Sequence, residues 1–290
     1  MKKLRMLSLF AGIGGCDIAA EKTGLIETVG FCEFEKPRWE VLNKHFPNVI
    51  DAGYYKDIFD LNKYQLEKDG IINENNRIDI IAGGPPCQPF SNAGKQEGVE
   101  DEKHLTPEML RLITELQPKF VVLENVPPFR TVFGAGDAYI RGMAERGYIS
   151  KSVCVPADLI TNAPHKRERF YCVSIQMEYA SQIRWEFIEE NCDNKIKRNS
   201  SYAIWNGELI ANNRIPELIE INNEWLMNPE FAGWLMGFPR RWNERDMDNK
   251  KINKLRLEEF GNSVVPQAME PLFQFIVDCY KSVDDQKSAA

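Results

Sequence analysis

Apolar and polar positions along the first 175 residues switch repeatedly between two periods. Short apolar runs beginning near Arg5, Thr28, Val49, Ile78, Phe120, Ser150 and Phe170 read as strands. Amphipathic stretches over 17–22, 37–45, 107–116 and 137–146 read as helices between them. Strands separated by helices require crossover connections, which predicts an α/β fold with a mostly parallel sheet. From 176 to 227 the alternation is lost, and the chain becomes polar and rich in asparagine. We expect a second, smaller unit over 176–256 and a larger one formed by 1–175 and 257–284. A helical pattern returns after 257. Within it, Val265-Pro-Gln-Ala-Met-Glu-Pro-Leu-Phe-Gln-Phe-Ile-Val carries an apolar face expected to pack back on the larger unit. Residues 284–290 read as a frayed end. No internal repeat or low-complexity tract interrupts this pattern.

The ends of the predicted strands carry the chemistry. Met6-Leu-Ser-Leu-Phe-Ala-Gly-Ile-Gly-Gly-Cys-Asp reads as strand, glycine turn, then helix. Gly12, Gly14 and Gly15 let the backbone approach a ligand closely. The spacing Gly-x-Gly-Gly is not the dinucleotide fingerprint, and a lone glycine turn is a weak signal. An acid nevertheless closes the next apolar run, Glu33, placed to meet ribose hydroxyls, and Asp57-Ile58 repeats the pattern one unit later. These three endings point to one adenosine-containing ligand. The run Ile78-Asp-Ile-Ile-Ala-Gly leads into Gly84-Pro-Pro-Cys-Gln-Pro-Phe-Ser, which presents the Cys87 thiol on a stiff turn. Glu124 ends the run Phe120-Val-Val-Leu-Glu. A thiol and a carboxylic acid on neighbouring strand ends can add to an electron-poor ring and protonate it. The other reading of Cys87 is a buried structural thiol.

Composition narrows the classes without choosing among them. The 290 residues are 43% hydrophobic, enough for a substantial core. No apolar run is long enough for a membrane span. Met1-Lys-Lys-Leu-Arg mimics the front of a signal peptide, but the apolar run breaks at Gly12 and reads as a first strand. Seven cysteines without a Cys-x-x-Cys pair, and only three histidines, argue against a disulfide scaffold or a metal centre and for a cytoplasmic protein. The net charge of −7 opposes DNA binding on average. Basic residues cluster locally at 166–169, at 195–198 and over 240–256, where seven basic side chains meet three acidic ones. Each cluster reads either as a solvated face or as part of a nucleic-acid surface.

Taken in order, Phe10-Ala-Gly-Ile-Gly-Gly, Gly84-Pro-Pro-Cys-Gln-Pro-Phe-Ser, Glu124-Asn-Val, Pro164-His-Lys-Arg-Glu-Arg, Asn228-Pro-Glu-Phe with Trp234-Leu-Met-Gly-Phe-Pro, and Gly261-Asn-Ser-Val-Val-Pro-Gln resemble the motifs of the DNA (cytosine-5)-methyltransferases over nearly the whole chain. The resemblance implies a Rossmann-like S-adenosylmethionine-dependent methyltransferase fold with a small target-recognition domain. It implies S-adenosylmethionine as cofactor, no metal, duplex DNA as partner, a cognate restriction endonuclease in some settings, and a monomer. It assigns Cys87 as nucleophile, Glu124 as the acid, Arg169 to the ring carbonyl and Glu124, and Arg167 to the neighbourhood of the thiol and a phosphate. The cofactor residues it implies are Phe10, Ala11, Gly12, Gly14, Gly15, Glu33, Phe34, Asp57, Ile58, Gly84, Leu105, Asn262 and Val264. Phe10 and Phe34 would sandwich the adenine, although both also read as core aromatics. Gln88, Ser91, Arg240 and Arg241 are its DNA contacts.

Three departures accompany the resemblance. Lys103 and His104 replace an arginine and a glycine, His165 replaces a glutamine, and the recognition region after Ile175 is short. Candidate base-reading residues there are Trp205, Asn206, Asn212, Asn213 and Arg214, by chemistry alone. A tRNA cytosine-5 methyltransferase shares the catalytic motifs, but its Cys-Phe-Thr signature is absent. A catalytically dead S-adenosylmethionine-binding DNA protein is the third reading, opposed by the intact Cys87, Glu124 and Arg169.

Overall fold

The computed structural model describes residues 1–86, 105–131, 134–183, 204–205, 208–209, 215–246 and 249–289. The seven strands of its main sheet are β1 (Leu4–Leu9), β2 (Ile26–Cys32), β3 (Tyr54–Tyr55), β4 (Ile80–Gly83), β5 (Phe120–Asn125), β6 (Tyr148–Pro156) and β7 (Glu168–Gln176). They lie in the order β3-β2-β1-β4-β5-β7-β6. All neighbours from β3 to β5 pair in parallel, and β7 alone runs against its neighbours. The order reverses between β1 and β4, so their C-terminal ends open the crevice where open α/β sheets hold ligands. Because β7 is reversed, its first residues stand at that same end: Phe170 pairs with Asn125 and Tyr171 with Glu124.

Strict alternation along the strands divides the core into two layers. Leu4, Met6, Ile80, Ala82, Phe120 and Val122 face one side. They pack there with α1 (Gly15–Glu21) and the long closing helix Pro266–Ala289. Leu7, Leu9, Ile81, Val121 and Leu123 face the other, with Met109, Leu112, Ile113, Tyr139 and Met143 from the helices Thr106–Leu116 and Ala135–Glu145. The closing helix continues to Ala289, beyond the point where the sequence suggested fraying.

The strand expected near Val49 is instead a helix, Pro47–Gly53, and β3 is reduced to two residues. Pro47 sits at the first helical position, where its fixed φ and missing N–H are harmless. The β-branched Val49 and Ile50 were the misleading signal; their spacing suits the buried face of a short helix equally well.

The post-176 segment divides by packing. Ile204–Trp205 with Glu208–Leu209, and Leu218–Ile221 with Glu224–Met227, form small antiparallel hairpins. From Asn228 onward the chain returns to the main body: Trp234, Met236, Phe238 and Trp242 join the first core layer. Residues 228–245, expected with the smaller unit, therefore pack with the larger one.

Candidate active site

Four chain segments converge at the β1/β4 end of the sheet. The first is the glycine turn. Phe10, Gly12 and Gly14 take positive φ, so the chain reverses sharply between β1 and α1. The turn is tight by necessity, since a Cβ on Gly14 would stand 2.9 Å from the Phe46 ring and one on Gly15 would stand 2.9 Å from Ser263 Oγ. The second segment is β4 with Gly83, Gly84, Pro85 and Pro86. The third is Glu124 at the end of β5, and the fourth is the turn Asn262–Val264 before the closing helix. Together they line one cavity that includes Phe10, Ala11, Gly12, Gly84, Glu124 and Val264.

Glu124 is the chemical centre of this cavity. Its side chain is 13% exposed, and Arg169 Nε lies 3.1 Å from its Oε1. Burial raises the carboxyl above its ordinary range, while the neighbouring charges of Arg169 and then Arg167 pull it back. The result is an acid held ready to carry a proton. Gly84 has no side chain for a reason: a Cβ there would stand 3.1 Å from Glu124 Oε2. Asn125, 2% exposed, donates from Nδ2 to the Pro85 carbonyl at 3.2 Å and accepts from the Val126 N–H at 2.9 Å. It thereby ties the turn that leads into position 87 to the strand that bears the acid. Sequence reasoning gave Asn125 no role; its place directly after Glu124 was the available signal, because the next residue of a strand end faces the neighbouring turn. Cys87, Gln88 and Ser91 lie outside the described residues, as do Lys103 and His104.

Arg167, expected beside the Cys87 thiol, has other partners within the described residues. Its Nη2 donates to the carbonyls of Gly261 and Ser263, at 2.8 and 2.7 Å. It fastens the 261–264 turn over the cavity, with its own backbone at φ +29. His165, in the place of the usual glutamine, lies 2.7 Å through Nε2 from the Leu235 carbonyl. Burial lowers its pKa, so it serves as a neutral donor that joins this loop to the helix Pro229–Leu235.

The residues expected to hold an adenosine divide into two groups. Glu33, 3% exposed at the end of β2, accepts the Gly12 N–H at 2.7 Å and the Glu35 N–H at 2.9 Å, with Arg38 at 3.4 Å. Burial raises its pKa; Arg38 and the two amides oppose that rise. It braces the glycine turn directly and keeps further lone pairs for a ligand. Asp57 is half-buried and accepts the Phe59 N–H at 3.0 Å. Phe34 is 59% exposed, with Lys56 Nζ 5.2 Å from its ring centroid. Ile58 is buried in the second core layer and Leu105 packs against that layer. Glu33, Phe34, Asp57, Ile58 and Leu105 thus stand outside the cavity lining, as do Gly14 and Gly15, whereas Asn262 and Val264 belong to it. A closely approachable backbone beside a buried acid and an apolar rim fits an adenosine with a charged tail.

The basic run 240–256 serves mainly the protein itself. Arg256, 6% exposed, pairs with Glu230 and with Asn243 Oδ1, and Arg245 pairs with Glu259 at 2.6 Å. Arg241 is 73% exposed and lies 2.8 Å from Glu244. Arg240 is exposed. The backbone of Trp205 is described, while Asn206, Asn212, Asn213, Arg214 and the 195–198 cluster lie outside the described residues.

A family model described as C-5 cytosine-specific DNA methylase matches residues 4–225. The chain belongs to this family. Among its relatives, the type II methyltransferase M.CviJI of Paramecium bursaria Chlorella virus IL3A is 32% identical over 210 residues, 68% of this chain and 53% of that protein. The orphan methyltransferase M.SPRI of Bacillus phage SPR is 26% identical over 283 residues, 90% of this chain and 59% of its own length. The chain thus spans a little over half the length of these relatives. In fold it is similar to a putative DNA modification methyltransferase encoded within an E. coli prophage, with a TM-score of 0.66 at 19% identity, covering 96% of this chain and 100% of that one. The S. pombe Dnmt2 methyltransferase shares the fold with a TM-score of 0.62 at 15% identity over 95% of this chain and 99% of its own. Among the described residues, no cluster of His, Cys, Asp or Glu could hold a metal ion, and no helix is long and apolar enough to cross a membrane.

Proposed function

We propose that this chain methylates C5 of cytosine in duplex DNA, with S-adenosylmethionine as methyl donor. The observation that carries this reading is Glu124: a buried carboxyl paired with Arg169, facing Gly84 at the start of the Pro-Pro-Cys87 turn. The thiolate of Cys87 adds to C6 of the base, and the new S–C6 bond pushes ring electrons toward C5. Glu124 holds the proton at N3 and the exocyclic amine, neutralising charge as it develops. Arg169 orients that carboxyl and the ring carbonyl. S-adenosylmethionine supplies an electrophilic methyl group at C5. Loss of the C5 proton and departure of the Cys87 thiolate restore the aromatic ring. Glu33, the glycine turn and Phe10 are the proposed adenosine holders, with Asn262 and Val264 around the tail. Since the target atom is unreachable inside a duplex, the base must leave the stack, at a cost of a few kcal/mol.

The test is methyl transfer from labelled S-adenosylmethionine to DNA and to tRNA, with wild type and Cys87→Ala. DNA labelling by wild type alone is expected, and DNA carrying 5-fluorocytosine should trap a denaturation-resistant complex, because fluorine cannot leave C5 as a proton. Labelling by the alanine variant, or of tRNA in preference to DNA, would overturn the reading.

A further inference from the structure

We propose that Trp242 is a positioning residue that sets the glycine turn 10–15 from the segment following the recognition region. This inference rests on the reading of that turn as the cofactor loop. Ile13 is fully buried, and its carbonyl precedes the helix: the first α1 bond runs from the Ile18 N–H to Gly14. The Ile13 carbonyl is satisfied instead by Trp242 Nε1–H, at 2.7 Å, across 229 residues of sequence.

The indole is itself fixed on every side. His45 stacks face to face on it, with centroids 3.6 Å apart and an interplanar angle of 3°. The same histidine's Nε2 lies 2.6 Å from the Trp242 carbonyl, so ring and backbone are both held. Phe46 meets the indole edge-on, 6.1 Å between centroids, and also fills the space a Gly14 side chain would occupy. Phe238 lies 5.9 Å from the indole and closes against Gly15. Trp242 thus sits in an aromatic wall that presses on Gly14 and Gly15, while its N–H holds the Ile13 carbonyl just before them. Immediately before it in sequence are Arg240 and Arg241. The Arg241 carbonyl accepts from Lys44 at 3.3 Å, and Arg245 donates to the Pro37 carbonyl at 2.9 Å. A short segment next to the expected DNA contacts is therefore clamped to α2 (Lys36–His45) and, through one indole, to the turn.

The test uses Trp242→Phe, which keeps an aromatic ring and deletes the single N–H. S-adenosylhomocysteine affinity by calorimetry should fall roughly fivefold to thirtyfold, as follows when a buried acceptor loses its donor. Duplex DNA affinity without cofactor should stay within about twofold of wild type, the variation expected when no contact is lost. Amide exchange at Gly12, Gly14 and Gly15 should accelerate, while Met6 to Leu9 in β1 keep their protection. A variant that loses thermal stability yet binds S-adenosylhomocysteine like wild type, with unchanged exchange in the turn, would make the bond merely structural and overturn the proposal. If the wild type itself does not bind S-adenosylhomocysteine, the cofactor reading fails and this inference with it. His45→Phe, which retains stacking but loses the bond to the Trp242 carbonyl, should move the same two readouts in the same direction, and gives the answer if Trp242→Phe does not fold.

Discussion

Replacing Asn125 by alanine isolates what holds the turn that leads into Cys87. Two partners lose their bonds: the Pro85 carbonyl, 3.2 Å from Nδ2, and the Val126 N–H, 2.9 Å from Oδ1. Pro85 is buried, so its carbonyl is left without water or protein, at about 1–3 kcal/mol. Val126 is half-buried, and water can take over the second bond at smaller cost. The sum, about 2–4 kcal/mol of unfolding free energy, is measurable by urea titration and leaves most proteins of this size folded.

The effect on turnover should exceed the effect on stability. Pro85 and Pro86 precede Cys87 directly, so a freed carbonyl lets the whole turn shift relative to Glu124. A displacement of about 1 Å at reacting groups can cost about a hundredfold in rate. We expect kcat for methyl transfer to drop by about that factor, with S-adenosylhomocysteine affinity nearly unchanged. Asn125→Asp keeps the acceptor for Val126 but loses the donor for Pro85, and should be as slow as the alanine variant. If Asn125→Ala turns over at the wild-type rate at a temperature where it is fully folded, the amide does not position the turn and this reasoning is refuted.

Glu33→Ala and Asp57→Ala should each weaken S-adenosylhomocysteine binding by about 1–3 kcal/mol in calorimetry. Only Glu33→Ala should also lower the unfolding midpoint, because it alone braces the Gly12 amide. Arg256→Ala should destabilise the fold by about 1–3 kcal/mol in urea titration, since it deletes a buried guanidinium bonded to half-buried Glu230 and to buried Asn243. The double replacement of Arg240 and Arg241 should leave the unfolding midpoint in place and lower the salt slope of log K for DNA by about one to two. Asp17 is fully buried on α1, accepts from Ser8 at 3.1 Å and Thr28 at 2.8 Å, and burial raises its pKa to about 7. A raised acid stabilises fully below its unfolded value of 3.8, and that contribution is lost as pH rises through 7. Asp17→Asn should therefore gain on wild type between pH 5 and 8, by about 2.5 kcal/mol, because only the two pH units from 5 to 7 of the window between 3.8 and 7 are crossed; parallel stability curves over that range would sink this assignment.

What the sequence made legible was whatever local pattern alone determines. The parallel strands β1, β2, β4 and β5 were visible as apolar runs ending in glycine or acid, and Glu33 and Glu124 stand at those ends. The helix Pro47–Gly53 was not visible, because a few apolar β-branched residues fit either period. The hairpin Leu218–Ile221 with Glu224–Met227 was within reach: Asn222 and Asn223 both take positive φ, as a two-residue turn requires, yet the polar composition around them hid the alternation. The reversed direction of β7 carried no local signal, although it is what sets Arg169 beside Glu124. Nor could pattern show that Trp234, Phe238 and Trp242 belong to the main core, since that depends on contacts more than 200 residues distant in sequence.

Charge is where counting misleads most. The run 240–256 looks like a phosphate-binding surface, but among the described residues at least five of its seven cations are matched to carboxylates: Arg241 to Glu244, Arg245 to Glu259, Lys250 to Glu224, Lys254 to Glu258 and Arg256 to Glu230. These pairs are not equivalent. Arg245 and Arg256 are 14% and 6% exposed, with Asn243 bridging Glu259 and Arg256, so separating them leaves buried charge without a partner. Arg241 is 73% exposed, and an exposed pair contributes little, so a phosphate can replace Glu244 at small cost. The same run therefore holds a frame that cannot open and a cation that can exchange partners. Trp242 lies between them, covalently next to Arg241 and hydrogen-bonded to Ile13 in the glycine turn. A phosphate that draws Arg241 from Glu244 must act on a backbone that Lys44 and His45 already hold, and those two residues end the helix that leads to Phe46 and Gly14. In a chain of net charge −7, the proposed phosphate contact Arg241 then lies within one residue of the indole bonded to the glycine turn.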